Sequence, residues 1–233
     1  VKEESRNEGY EIYFSEDFVK VKLEDFDWLK ANYKIIRHPR KHLVGKEFQC
    51  PLIGRFQEEN ISLALTALEI IFDSSELPQW DHVKRGLEKA RIPGRFQLIS
   101  KEPLILADGA HNPPGIRALA DQLRSARKKL MKKNGKIIFI FSALKDKDIG
   151  QMIEVLSEEM NTLILTQVDH HRATPLKKLS QIAKKKDKID IIPAERPREA
   201  LELGIKKCRS GDLICVTGSL YLVEEAIKFA DRR

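Results

Sequence analysis

The sequence is poor in sulfur and in aromatic rings, and it has no long apolar run. Its 233 residues include three cysteines, Cys50, Cys208 and Cys215, far apart and without a CxxC pair. That spacing argues against structural zinc and a disulfide scaffold, and fits a reducing compartment. Aromatic residues make up only 7%. No apolar stretch approaches the roughly 20 residues that a membrane-spanning helix needs, and the first residues do not read as a signal peptide. Nothing matches the phosphate-loop pattern G-x-x-x-x-G-K-[ST]. Gly45-Lys46 and Gly135-Lys136 lack both the earlier glycine and the following hydroxyl residue. The chain opens on Val1, and its first methionine is Met131.

What is present is the composition of an ordinary globular protein, 42% hydrophobic and 33% charged. A soluble, cytoplasmic protein is expected, with no membrane partner. Lys and Arg total 42 against 35 Asp and Glu, a net charge of +7. The cations are scattered among acids, as in Lys145-Asp146-Lys147-Asp148, or gathered late in predicted helices, as at Lys128-Lys129 and Lys184-Lys185-Lys186. There they complement the negative end of the helix dipole. No recognition helix or basic–aromatic cluster accompanies them, so no nucleic-acid partner is expected.

The first 55 or so residues read as β-rich. Tyr10, Ile12 and Phe14 alternate with polar neighbours, as do Val19, Val21 and Leu23, and Ser15-Glu16-Asp17 between them predicts a hairpin. After Asn60 the period turns helical through Ile61, Leu65, Leu68 and Phe72, and a second helix is predicted over Trp80 to Lys89. Pro93-Gly94 then breaks the chain. Beyond it, short apolar runs alternate with helical segments: Phe96 to Ile99, Leu104 to Ala107, Ile137 to Phe141, Thr162 to Leu165, Ile189 to Ile192 and Leu213 to Val216. This predicts an α/β fold, a Rossmann-like mostly parallel sheet with helices on both faces. A β-rich and helical piece would precede it, with domains at 1–90 and 91–233.

In such a sheet, ligands gather at the carboxyl ends of the strands. Three segments carry suitable chemistry there: Asp108-Gly109-Ala110-His111-Asn112-Pro113, Ser142 to Asp148, and Thr217-Gly218-Ser219. Asp108 and Ser219 suit turn or helix capping as well as ligand contact. His111 fits a surface turn equally, and Arg95 either a surface charge or an anion clamp. The pair His170-His171 suggests a metal, but neighbours on a strand point to opposite faces, so two-point ligation is not expected.

Five segments in order resemble the folylpolyglutamate synthase and dihydrofolate synthase family of the Mur ligase superfamily. They are Leu52 to Asn60, Ile92-Pro93-Gly94-Arg95-Phe96, Asp108 to Pro113, Ala143 to Asp148, and Thr217 to Tyr221. The resemblance covers residues 45 to 233 and implies the C-terminal part of an ATP-dependent ligase. Such an enzyme joins glutamate to folate or dihydropteroate through an acyl phosphate, with Mg²⁺ bound by residues upstream of this chain. It implies ATP contacts for Asn60, Arg95 and Asp108. It places His111, Lys145 and Ser219 on the glutamate side, His111 and Lys145 with catalytic roles. The absent phosphate loop implies that residues 1–233 alone do not turn over. A monomer is expected.

Overall fold

The computed structural model describes residues 12–72, 76, 78–132, 134–184 and 189–232. They form two compact units that divide between Arg91 and Ile92.

In the first unit, β1 (Lys20–Phe26), β2 (Ala31–Arg37) and β3 (Glu47–Cys50) make an antiparallel sheet in that order. Alternation buries Ala31, Tyr33 and Ile35 of the central strand. The Tyr33 ring stacks on Phe48, and its hydroxyl lies 2.8 Å from the Leu52 carbonyl oxygen. The expected hairpin is corrected here. Ser15–Phe18 is a single helical turn, Ile12 and Phe14 lie outside any strand, and Tyr10 falls outside the described residues. Strand β1 turns instead at Asp27, whose Oδ1 accepts from the Leu29 and Lys30 amides and so closes a tight turn into β2.

Helix α1 (Phe56–Ile71) begins before Asn60, with Glu58 and Glu59 in its first turn, where a helix favours acids. Two of its side chains cap the outer edge of β1: Ser62 Oγ accepts from the Val21 amide and Glu58 Oε1 from the Leu23 amide. Helix α2 covers Trp80–Lys89.

The second unit is a six-stranded sheet. Its strands are β4 (Gln97–Lys101), β5 (Leu104–Ala107), β6 (Ile137–Phe141), β7 (Thr162–Thr166), β8 (Asp190–Ala194) and β9 (Leu213–Thr217). The order is β4-β5-β9-β6-β7-β8, with β4 antiparallel to β5 and the others parallel. Strands β6 and β9 are buried along their whole length, as a sheet covered on both faces requires. Helices α3 (Pro113–Leu130), α4 (Ile149–Ser157), α5 (Leu176–Ala183), α6 (Pro197–Lys207) and α7 (Leu220–Asp231) supply that cover. Ile138, Ile140, Ile164, Ile214 and Val216 meet Ala200, Leu201, Leu222 and Ala226 of α6 and α7 in one core. The alternate residues, Phe139 and Phe141 among them, face the other side and are fully buried too. Glu159, just past α4, ties α3 to that end: its carboxylate accepts from Arg124 Nε at 2.9 Å and Arg127 Nη1 at 3.3 Å.

The connection order carries the chain from β5 outward through β6, β7 and β8 and back to β9 between β5 and β6. The carboxyl ends of β5, β6, β7 and β9 therefore share one edge, where crossover loops and helix N-termini collect. No helix among the described residues is long and apolar enough to cross a membrane.

Candidate functional site

The turn Ile92–Phe96 is locked to the tip of β5. The Gly109 amide donates to the Gly94 carbonyl at 2.7 Å, and the Gly94 amide to Gln97 Oε1 at 2.8 Å. Gly94 has φ +69°, and an added Cβ would come within 2.6 Å of Val223 Cγ1, so both conformation and space demand glycine. Phe96 sits at φ +46°, costly for a bulky residue. Asp108 compensates: its Oδ2 accepts from the Phe96 amide at 2.8 Å, while Oδ1 accepts from the Ala110 amide at 2.9 Å.

Asp108 is 4% exposed, and burial pushes its carboxyl above the usual range against the pull of these two amides and Arg95. The carboxylate for which an ATP contact is expected thus already accepts from two backbone amides. Its evident work is to hold the strained turn that presents the exposed side chain of Arg95. Asn60 belongs to the other unit, exposed on α1, with its Nδ2 donating to Gln57 Oε1 at 2.9 Å.

Beside this turn, a cleft of about 400 Å³ is lined by His111, Lys147, Arg172, Ser219, Tyr221 and Glu224, with Leu144, Gly218 and Leu220. Asn112 caps α3, its Oδ1 accepting from the Gly115 amide, which fixes the preceding His111. His111 Nδ1 lies 2.8 Å from the Gly109 carbonyl oxygen and must donate to it. In the neutral imidazole this leaves Nε2 as a lone-pair acceptor.

Ser219 occupies the N-cap position of α7 but makes no capping hydrogen bond. It is 2% exposed, and its Oγ has no partner. A buried hydroxyl without a partner costs about 1–3 kcal/mol. Here it stands at a helix N-terminus, where free amides favour an anion. Gly218 permits the approach, since at φ +93° a Cβ would strike Phe141 and the Ser142 carbonyl oxygen.

Lys145 is not among the residues that line this cleft. Its Nζ donates to the His171 carbonyl at 3.1 Å and its amide to the Arg172 carbonyl at 2.9 Å, so it fastens the loop after β7. The cations that line the cleft are Lys147, half-buried and paired with Asp146 at 2.7 Å, and Arg172. Sequence reasoning missed Arg172 altogether, because a loop without periodicity does not reveal where its side chains point. Asp148, by contrast, caps α4 through the Gln151 amide. His170 and His171 also lie in this loop rather than on a strand, with ring centroids 4.3 Å apart. Among the described residues no three His, Cys, Asp or Glu side chains are grouped to hold a metal ion.

Fold and cleft together define a class: a doubly wound α/β domain with a cleft at the tips of its parallel strands. The family described as Mur ligase, glutamate ligase domain, matches residues 94–220, and the chain belongs to it. A dihydrofolate synthase/folylpolyglutamate synthase of Bacillus subtilis is 30% identical over 184 residues, covering 78% of this chain and 41% of that protein. The UDP-N-acetylmuramoyl-L-alanyl-D-glutamate–2,6-diaminopimelate ligase of Aquifex aeolicus is 31% identical over 189 residues, covering 78% and 36%. Among solved structures, a folylpolyglutamate synthase of Thermotoga maritima shares the fold at a TM-score of 0.75 and 23% identity, covering 99% of this chain and 50% of that one. E. coli FolC with DHPP and ADP does so at 0.73 and 21%, covering 91% and 46%. The chain therefore spans about half the length of these relatives or less.

Proposed function

We propose that residues 92–233 form the amino-acid-accepting part of an ATP-dependent ligase that joins glutamate to folate or dihydropteroate. The unpartnered, buried Ser219 Oγ at the head of α7 carries this reading, because Ser219 lines a cleft whose other walls offer Lys147 and Arg172. Two cations, a helix N-terminus and a hydroxyl suit the two carboxylates of an acidic amino acid. Glu224 suits its ammonium group.

In the reaction, the acceptor carboxylate takes the γ-phosphoryl group of ATP and ADP departs. The glutamate amine then attacks the acyl carbon and phosphate departs. The amine must first lose a proton, and His111 Nε2, left with its lone pair by the Nδ1–Gly109 bond, is the group to take it. Positioning and charge stabilisation do the rest. Arg95 suits the phosphates and Asn60 the adenine, while Asp108 holds Arg95 in place. Residues 1–90 are read as a portion of the nucleotide-binding domain. The same reading makes the enzyme a cytoplasmic monomer acting on small molecules.

One observation favours a second reading: the Aquifex cell-wall ligase shares about the same sequence identity with the chain as the folate enzyme does, 31% against 30%. Titration calorimetry of residues 1–233 separates the two. Glutamate should bind more tightly than diaminopimelate, and Arg172→Ala should weaken glutamate about tenfold or more, as the loss of a charged hydrogen bond implies. The reverse preference moves the chain to the cell-wall branch. Binding of neither amino acid refutes the cleft assignment. With ATP, glutamate and dihydropteroate, the chain alone should show no turnover.

A further inference from the structure

The loop after β7 carries Arg172 into the cleft, and the structure shows how it is held. On the side of β6, the attachment is main-chain. The Lys145 amide donates to the Arg172 carbonyl, the Thr174 amide to the Ala143 carbonyl at 2.9 Å, and Leu144 bridges Ala173. Lys145 Nζ on the His171 carbonyl adds a side-chain clamp. Toward α7, on the opposite wall, the link is an aromatic one: the His170 ring stacks on Tyr221 with centroids 4.3 Å apart and planes 26° off parallel.

The same imidazole does a second thing. The Arg172 amide donates to His170 Nδ1 at 3.2 Å, so Nδ1 must carry its lone pair and, in the neutral ring, Nε2 the proton. One side chain thus touches both cleft walls, packing on Tyr221 and fixing the backbone of Arg172.

We propose that His170 is a positioning residue which, in its neutral form, holds Arg172 and Tyr221 at the spacing the incoming amino acid needs. The inference rests on reading the cleft as the amino-acid site. Protonation removes the Nδ1 acceptor and turns an N–H toward the Arg172 amide, so the loop loses that tether. The groups facing the ring are His171 on its own loop, the Arg172 side chain and backbone, and Tyr221 from α7. Partial burial and the charges of His171 and Arg172 hold the imidazole below the ordinary histidine range. The neutral form is therefore kept at pH 7 and lost only on acidification below about 6.5.

The test uses the full chain with glutamate as the probe, and two variants. His170→Ala removes both ring and acceptor, whereas His170→Asn keeps an acceptor close to the Nδ1 position. At pH 7.5 the alanine variant should bind glutamate about tenfold more weakly, a population loss of the competent cleft. The asparagine variant should recover part of that loss. Hydrogen exchange at the Arg172 amide, read by NMR without ligand, should quicken in His170→Ala and stay near wild type in His170→Asn. Taking the pH from 7.5 to 5.5 should weaken the wild type more than His170→Asn. Wild-type affinity and Arg172 protection in His170→Ala, or equal pH slopes in wild type and His170→Asn, overturn the inference while leaving the cleft assignment standing. A wild-type chain that binds no glutamate sinks the cleft assignment, and this inference with it.

Discussion

The two units solve the burial problem differently. In residues 92–232 the sheet is covered on both faces, and the large apolar side chains left exposed are Ile92, Leu220 and Tyr221, the last two in the cleft lining. In residues 12–72, Leu29, Leu63, Ile71 and Phe72 are all more than a third exposed. Helix α1 shows why. It packs Ile61 and Leu65 inward while Leu63, Ile70 and Ile71 point to solvent, so its apolar residues run around the whole helix. A helix of that kind belongs between two layers. The comparison teaches that exposed apolar surface takes two forms in one chain: the lining of a cleft in the second unit, and a helix face suited to cover in the first.

The contrast can be broken most forcefully in the cores. Phe139→Ala, at a fully buried position of β6, should cost the second unit about 3–5 kcal/mol. Leu63→Ala on the outer face of α1 should change stability by no more than about 0.5 kcal/mol. Both tryptophans, Trp28 and Trp80, lie in the first unit. Tryptophan fluorescence therefore follows that unit, and circular dichroism at 222 nm is weighted toward the helices of the second. Denaturant melts read both ways will show a Phe139→Ala effect confined to dichroism. A Leu63→Ala loss as large as that of Phe139→Ala would erase the distinction.

Next in size is Glu159→Ala. It takes one carboxylate partner from Arg124, which keeps Asp121 and Glu158, and from Arg127, which keeps the residue-159 carbonyl, and should cost about 1–3 kcal/mol in the dichroism melt. Asp108→Asn should cost a similar amount, about 1–3 kcal/mol, because the new amide group would face one of two backbone N–H donors.

The smallest effect sharpens the comparison through pH. His38 is buried beside Arg40 and Glu69, and burial holds its imidazole below the ordinary range despite Glu69. A depressed histidine binds fewer protons folded than unfolded. Its contribution is present above about pH 6.5 and lost as the pH falls through the folded value. Asp108 is raised, so its contribution runs the other way: present at low pH, and lost as the pH rises through the folded value. Fluorescence melts should therefore show a first unit that weakens on acidification, and His38→Gln should flatten that slope. An unchanged slope removes His38 from the account.

Much of the second unit was legible because its signals are local and periodic. Ile137–Phe141 and Pro197–Lys207 follow from an apolar run and from a proline-led helical pattern with terminal lysines. The first unit resisted where two patterns compete. Ile12 and Phe14 alternate as a strand would, yet Ser15–Phe18 coils into a helical turn, and the real turn is set by Asp27. The start of α1 was missed although two acids mark it.

Motif order singled out His111 and Ser219, which line the cleft, but not which lysine of Lys145-Asp146-Lys147 lines it with them. That choice is made by hydrogen bonds to His171 and Arg172, 26 and 27 residues away along the sequence. The dismissal of His170-His171 rested on a strand that is not there, and it hid the ring that joins both walls.

The central claim is that the strand-tip cleft of the second unit takes an acidic amino acid. A crystal structure of the chain soaked with glutamate tests it most directly. The account predicts a carboxylate within hydrogen-bond reach of Ser219 Oγ, flanked by Lys147 and Arg172. Glutamate seated elsewhere, or a cleft left empty at saturating glutamate, contradicts it.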